Sequence, residues 1–312
     1  MPERGLRRAA RRRLSFQAFL IALLISGILS GIAYWYLQTR ETKERAYAED
    51  AALKLWSKDY RSALFFHQTL ADFILDELLS DERVLNCFAE LALAEEGEKK
   101  EARARLQAVA QPFYERMKKR GLKQLHFHST KSVSLLRMHK PEKFGDSLKG
   151  VRKTVDMANA SRQKVSAFEE GRIYNGYRNV HPVEWEGQPI GTVETSFSSD
   201  AIIEHMRHFN PGHNYIFALR KKVVDSVVFE EFRSSYEAFE LSSEYIVERN
   251  EWVANNSFVR DFTEGEREGI LLQLRQAFEA HSEPEQPAAA SAVDVLLHSG
   301  RHYYLFHRHV SD

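Results

Sequence analysis

Cysteine is almost absent from this sequence, since Cys87 is the only one among 312 residues. A single cysteine excludes an internal disulfide and any metal site built from several thiolates, and it leaves the compartment open. Net charge is absent as well, because 44 Lys and Arg residues balance 44 Asp and Glu residues. This balance argues against a nucleic-acid-binding surface, so we expect no nucleic-acid partner.

The motifs of several enzyme classes are also missing. The sequence contains no phosphate-binding Gly-Lys loop, no Gly-x-Ser-x-Gly elbow and no His-Glu-x-x-His helix. The signature residues of a cyclase, a kinase or a chemoreceptor signalling hairpin are absent too. We therefore expect no catalytic residues and no cofactor within these residues.

One long uncharged run is present near the N-terminus. Leu14 to Thr39 carries no charged side chain, and it is long enough to cross a hydrocarbon core of about 30 Å as a helix. Six arginines precede it within residues 4–13, and such basic flanks stay in the cytoplasm. We expect a single-pass anchor in the inner membrane, with residues 1–13 cytoplasmic and the main domain periplasmic or extracellular. A cleaved signal peptide is the alternative, but the run is longer than a usual signal-peptide core and no clean cleavage site follows it.

Three further helices are predicted after the membrane run. Apolar residues at three- and four-residue steps predict helices over about residues 41–79, 82–94 and 99–119. Ser80 and Asp81 are the expected N-cap of the second helix, Pro112 predicts a kink or break in the third, and Gly121 is its expected C-cap. Residues 40–120 would form a helical stalk, through which two copies would dimerise.

Residues 121–210 change from helical to strand character. Alternating β-branched and aromatic residues predict antiparallel strands at 125–128, 134–139, 177–183 and 190–197, with a hairpin tip at Glu186-Gly187. Between them, apolar spacing over residues 142–160 favours one or two short covering helices. This order of elements is typical of a PAS-like sensor fold, which holds a small ligand between the sheet and its cover.

The same stretch resembles the double Cache sensory domains of bacterial diguanylate cyclases, chemoreceptors and histidine kinases. The resemblance rests on Gln124-Leu125-His126-Phe127-His128, residues 135–146, Arg152, residues 168–172, Gly176-Tyr177-Arg178, Pro182-Val183 and Gly191-Thr192-Val193-Glu194. It implies an α+β fold with a membrane-distal PAS-like module at 121–210 and a membrane-proximal one at 211–312. It also implies signal transduction, including two-component systems.

The second module is inferred from layout alone. Strands are predicted at 215–219 and 223–229, a mixed and mostly helical stretch at 232–274, a flexible loop at 283–290, and a closing hairpin at 292–297 and 303–309. One following strand is missing, so the module is expected to be incomplete. A second membrane helix and an output domain normally follow such a region. A stand-alone sensor and the sensory half of a truncated diguanylate cyclase or histidine kinase both remain open.

Charged residues of the first module are the candidate ligand contacts. They are Arg137, His139, Lys140, Asp146, Arg152, Glu169, Arg172 and Arg178. Cations that converge on a half-enclosed region favour a small anion or carboxylate, with Arg137, Lys140 and Arg172 as the first contacts. The alternative is that Asp146, Glu169 and Glu194 pair with these arginines and only lock loops in place.

Two other functions are weighed against a small-ligand sensor. His126 and His128 share one strand face, so they could contact a metal or a haem, but no Cys or acidic partner has a known ligand spacing. We therefore expect no metal. The folded part could also be a periplasmic module that binds another protein and no small ligand.

Overall fold

The computed structural model describes residues 3–211, 215–249, 264–281, 290–296 and 302–308. The chain divides into two compact units, residues 1–56 and residues 57–312. In the first unit the backbone is helical throughout its described part, within α1 (Glu3–Leu79). Large apolar side chains between Phe16 and Leu37 are about half to two-thirds exposed. Among the described residues, α1 is the one helix long and apolar enough to cross a membrane.

Two helices follow α1 in the second unit, as the periodicity predicts. They are α2 (Glu82–Leu93) and α3 (Lys99–Lys118). The Asp81 carboxylate accepts the backbone N–H of Arg83 at 3.0 Å and caps α2. Gly121 follows α3 with a φ of 93°, which favours glycine. The helix α3 continues through Pro112, so the predicted break does not occur.

A five-stranded antiparallel sheet forms the centre of the second unit, with the strand order β2-β1-β5-β4-β3. Its strands are β1 (Gln124–Ser129), β2 (Ser134–Arg137), β3 (Val165–Glu169), β4 (Gly176–Trp185) and β5 (Gln188–Phe197). Glu186 and Gly187 join β4 to β5 with φ angles of 49° and 74°, which confirms the predicted hairpin tip.

One short helix, α4 (Lys153–Ser161), covers the sheet, which agrees with the one or two predicted over residues 142–160. Residues 140–152 form turns that are held by hydrogen bonds to residues around the start of β2. β2 ends at Arg137, so His139 lies beyond the strand. The edge strand β3 was not predicted. A further helix, α5 (Ser199–Phe209), follows β5 and is capped by Ser198.

The two faces of the sheet have different partners. Leu125, Phe127 and Val193 belong to a large buried core with apolar residues of α1, α2 and α3. On the opposite face, Val180 packs against Val155 and Ala158 of α4. A register shift in the β1–β2 pairing sets Ser134 opposite His128, so Leu135 joins the apolar core instead of sharing a face with Arg137.

The later part of the second unit contains two small sheets. One has the order β6-β8-β7 and consists of β6 (Ala218–Arg220), β7 (Tyr236–Phe239) and β8 (Ser242–Glu248). The other pairs β9 (Ala290–Leu296) with β10 (His302–Arg308), as the predicted hairpin requires. Two helices also occur, α6 (Lys221–Val227) and α7 (Glu264–His281). The predicted strand at 223–229 is therefore wrong, and two strands lie where mostly helix was predicted. The predicted loop at 283–290 lies almost wholly outside the described residues.

The observed combination of helices and antiparallel sheets is the α+β class that the sequence predicts.

Candidate functional site

One face of the five-stranded sheet carries a row of charged and polar side chains. Strand pairing sets His126 opposite both Arg137 and Glu194, and residues that pair across strands share a face. In the next row Gln124 and Arg178 are each opposite Ser196. Alternation along the strands is what sends these side chains away from the helical core.

These side chains and the turns above them enclose a cavity of about 10 Å³. The polar part of its lining is Gln124, His126, Arg137, His139, Arg152, Arg172, Tyr174 and Arg178. A volume of this size holds about one water molecule. In the described conformation the cavity is therefore too small for a ligand of several heavy atoms.

Glu194 is the innermost carboxylate of the site. Its Oε2 accepts Nη2 of Arg152 at 2.7 Å, and its Oε1 accepts Nη1 of Arg178. The side chains of Arg152, Arg178 and Glu194 are all buried, and that of Glu194 has no solvent-accessible surface. Burial alone would raise the pKa of Glu194, but the two guanidinium groups hold it well below its ordinary value. Glu194 is therefore ionised and shared between two cations.

Glu169 forms a second buried partnership at the end of β3. Its carboxylate accepts Nε of Arg152 at 2.7 Å and the hydroxyl of Thr154 at 2.6 Å. The backbone carbonyl of Glu169 accepts Nε of Arg178 at 3.2 Å. Arg178 also donates to Oε1 of Gln124 at 2.7 Å. Arg152 and Arg178 are thus fixed by several partners each.

Asp146 holds the outer part of the site. Its two oxygens accept Nη1 and Nη2 of Arg137 at 2.7 and 3.0 Å, and Oδ2 also accepts Nη1 of Arg172 at 3.1 Å. Burial acts to raise the pKa of Asp146, but its hydrogen bonds to Arg137 lower the pKa overall. The Asp146 side chain is 26% exposed and that of Arg172 is 24% exposed, so this part of the network reaches the solvent.

Three histidines lie beside the charged network. Burial lowers the pKa of His128 and of His139 to about 3, and it lowers that of His126 well below the ordinary value. The rings are therefore neutral near pH 7 and offer hydrogen bonds instead of charge. Nδ1 of His139 and Nε2 of His128 are buried without a hydrogen-bond partner among the described residues.

The histidine pair has an acidic neighbour that sequence spacing did not show. Ligand atoms of His126, His128 and Glu194 lie within 4.8 Å of one another, and Ser134 and Thr192 bond the opposite ring nitrogens at 2.8 and 3.0 Å. The geometry resembles a metal site, but the charges oppose a cation. Glu194 is already neutralised by two guanidinium groups, and the surroundings disfavour a positive charge on the rings.

The balance of charge favours an anion in the cavity. Four arginines, Arg137, Arg152, Arg172 and Arg178, face three carboxylates, those of Asp146, Glu169 and Glu194. With the imidazoles neutral, the described cluster carries a surplus of positive charge. Desolvated guanidinium groups are suited to binding a planar carboxylate.

The structure brings most of the predicted site residues together. Arg137, His139, Arg152, Arg172 and Arg178 line the cavity, and Asp146 and Glu169 are ion-pair partners of the lining arginines. Lys140 lies apart: it pairs with Glu142 at 3.8 Å and sits 5.9 Å above the Phe232 ring.

Three polar residues of the lining, Gln124, His126 and Tyr174, were not among the predicted ligand contacts. Strand alternation gives a signal for Gln124, which lies two residues before His126.

Phe229, which follows α6, contacts one arginine of the cavity lining. The Phe229 ring is 5.4 Å from the Arg172 guanidinium and 5.7 Å from Nζ of Lys143. The Phe229 N–H donates to the carbonyl of Arg172 at 2.8 Å. Arg172 therefore links the cavity lining to Phe229.

Several solved sensor domains are similar to this chain. An amino acid chemoreceptor ligand-binding domain of Pseudomonas aeruginosa PAO1, in complex with GABA, is 12% identical with a TM-score of 0.38, over 79% of this chain and 88% of that one. The E. coli DcuS sensor domain is 17% identical with a TM-score of 0.31, over 44% and 97%. The sensor domain of the V. cholerae histidine kinase DctB is 15% identical with a TM-score of 0.32, over 47% and 60%. No curated protein sequence matches the chain.

Because these TM-scores are below 0.5, the assignment rests on a family model. That model is a double Cache model described as a double sensory domain of two-component sensor kinase, and it matches residues 67–310. The matched region is sensory in description and not catalytic. It spans well over half of the sequence, and the chain therefore belongs to the double Cache family of sensory domains.

Proposed function

We propose that this chain is a membrane-anchored extracytoplasmic sensor that binds a small anion, most simply a carboxylate, in the arginine-lined cavity. One observation carries the proposal: four arginines line a cavity together with His139, whose buried Nδ1 has no hydrogen-bond partner among the described residues. A buried polar atom without a partner is costly, and a ligand oxygen or hydroxyl would supply the missing hydrogen bond. The family is sensory, which supports ligand binding over a purely structural role.

Binding requires the cavity to open. A space of about 10 Å³ does not hold a carboxylate of several heavy atoms. A ligand would therefore favour a conformation in which side chains of the covering turns have moved away from the sheet, and this is a shift of population between two arrangements. Residues 229–232 and the segment of α1 that packs against the sheet would both respond to that shift.

The location of the sensor follows from the N-terminal segment. Leu14 to Thr39 is uncharged and its large apolar side chains are exposed, as a lipid-facing helix requires. The arginines before it favour a cytoplasmic N-terminus and an inner-membrane, single-pass topology. The sensory region would then lie in the periplasm or outside the cell, and the stalk helix would carry its conformational signal to the membrane.

Dimerisation would occur through the stalk. Phe65, Thr69 and Phe73 follow each other at four-residue steps on α1 and are exposed, the two phenylalanines by 71% and 58%. Four-residue steps place side chains along one helix face. A second copy of the same helix is the simplest partner for this stripe, because a signal in a single spanning helix needs a partner against which to move.

Thermal melting of the full chain in detergent micelles tests the ligand proposal. Formate, acetate, succinate, amino acids, phosphate and alkylamines are added one at a time. A bound ligand at a hundred times its Kd stabilises by about 2.7 kcal/mol, which raises the Tm visibly. We expect one class of carboxylates to raise the Tm of wild type and to leave the Tm of Arg172→Ala unchanged. Arg83→Ala is the control, because Arg83 is 78% exposed and remote in sequence, and its Tm should rise as that of wild type does. Cooperative melting that no anion alters, or a shift that survives in Arg172→Ala, contradicts the proposal.

A further inference from the structure

The two halves of the arginine network differ in how firmly their carboxylates are held. Glu194 is fully buried on a central strand, and Glu169 is bonded by Arg152 and Thr154. Asp146 instead comes from the turns after β2, and its side chain is 26% exposed. Its backbone is fixed, because the Asp146 carbonyl accepts the Ser134 N–H at 3.1 Å. Only the side chain is free to rotate toward the solvent.

The contacts of Asp146 are the contacts a carboxylate ligand would make. Both of its oxygens are bound by the fork of Arg137, and one is shared with Arg172. This planar, bidentate arrangement is how arginine recognises a free carboxylate. One internal carboxylate thus occupies two guanidinium groups that line the cavity.

We propose that Asp146 is a built-in competitor: its carboxylate occupies the ligand's place on Arg137 and Arg172 and must rotate out when a carboxylate ligand binds. This inference rests on the proposed anion-binding function, and it explains what sets the affinity of the cavity for its ligand. The space that the exchange frees is that of one carboxylate group, so formate and acetate fit it better than the larger, tetrahedral phosphate.

The competition lowers apparent affinity in a defined way. When a binding-competent state is populated only as a fraction, the measured Kd is the intrinsic Kd divided by that fraction. Rotation of Asp146 into solvent is the minor state here. In a chain without this carboxylate the apparent affinity is not reduced in this way. Arg137 and Arg172 then lack an anionic partner until an external anion is added.

The experiment measures formate, acetate and phosphate affinity for the full chain in detergent by isothermal titration. We expect Asp146→Asn to bind formate at least about tenfold more tightly than wild type. Glu231→Gln is the matched control, because it removes a carboxylate that lies outside the cavity lining and pairs with Lys143 at 3.1 Å instead of with the arginines. Equal gains in both variants would show a general charge effect and would overturn the inference.

A second comparison covers the case in which Asp146→Asn does not fold. Asp146→Ser removes the same carboxylate with a smaller side chain and leaves all four arginines in place. We expect it to bind formate more tightly than wild type, whereas equal or weaker binding overturns the inference.

The outcomes separate the two claims. Formate binding by wild type without a gain in Asp146→Asn leaves the proposed function intact and removes the exchange. No anion binding by wild type and by every variant removes both.

Discussion

The hydroxyl oxygens of Tyr60 and Tyr177 lie 2.6 Å apart, so a hydrogen bond joins α1 to β4. Tyr177 precedes Arg178, which lines the cavity and is fully buried. Because neighbouring residues of a strand face opposite sides, β4 presents Arg178 to the cavity and Tyr177 to the helix. If β4 moves when a ligand binds, as the proposed function requires, this hydrogen bond would carry the displacement to α1.

Removal of this hydrogen bond tests the coupling. Tyr177→Phe should lower the free energy of unfolding by about 1 kcal/mol, the usual net value of one hydrogen bond, and should leave ligand affinity within about twofold. Urea unfolding and titration with the stabilising carboxylate measure the two quantities. Tyr47→Phe, at a tyrosine that is 77% exposed, serves as the control. A tenfold loss of affinity in Tyr177→Phe would place this hydroxyl in the binding site and contradict its assignment to coupling.

Substitution of the buried carboxylate Glu194 should lower the free energy of unfolding far more than substitution of an exposed carboxylate. Glu194→Gln leaves Arg152 and Arg178 without their shared anion, and breaking a buried ion pair from one side costs about 3–5 kcal/mol. Glu90→Gln removes the half-exposed partner of Arg105, where a loss of about 0–1 kcal/mol is expected. Chemical denaturation compares the two. Equal small losses would mean that the arginines find other partners.

Much of the fold could be predicted because its signals are local. The uncharged helix, the Asp81 cap, the Gly121 ending and the Glu186-Gly187 turn each depend on a few neighbouring residues. The strand β3 escaped prediction because it is a short edge strand in which only Phe168 is buried. Residues 221–227 are rich in valine, yet they form α6, since β-propensity yields to tertiary context.

The site was predictable as a group of residues and not as a set of pairs. Arg137, Arg152, Arg172 and Arg178 were predicted from the strands and turns that carry them. Whether Glu194 would meet Arg152, 42 residues earlier in the chain, depends on the strand order, which no local pattern contains. The proximity of Glu194 to the histidine pair escaped prediction for the same reason.

The neutral histidines predict a loss of stability in weak acid. Burial holds the folded pKa of His128 and His139 at about 3, against about 6.5 in an unfolded chain. Between these values the unfolded chain binds more protons, so stability is complete above about pH 7 and falls as the pH drops through 6.5. The ionised Asp146 and Glu194 add to the loss only below about pH 4.5, where unfolded carboxylates take up protons.

His128→Asn isolates the contribution of one ring. This variant should reduce the slope of the unfolding free energy against pH by about 1.4 kcal/mol per pH unit between pH 6 and 5. Urea unfolding at half-unit pH steps provides the measurement. An unchanged slope would show that His128 is not protonated on unfolding in this range.

A glycine beside the cavity provides a test of its shape. A Cβ at Gly171 would lie 2.2 Å from Nη2 of Arg178 and 2.3 Å from the carbonyl oxygen of Tyr174, so one of them must move. We expect Gly171→Ala to abolish the anion-dependent rise in Tm. Gly97→Ala, where a Cβ meets nothing within 4 Å, should retain it. A normal shift in Gly171→Ala would mean that Arg178 does not need its observed position.

Direct titration of the full chain in detergent, with the carboxylate that raises the Tm most, tests the central claim that the arginine cavity is the ligand site. We expect one ligand per chain in wild type and in Arg83→Ala, and at least a hundredfold weaker binding in Arg137→Ala, because a bidentate charge-assisted contact is lost. Binding of equal affinity in Arg137→Ala, in a chain that still melts cooperatively, would contradict the account and assign the charged network to structure alone.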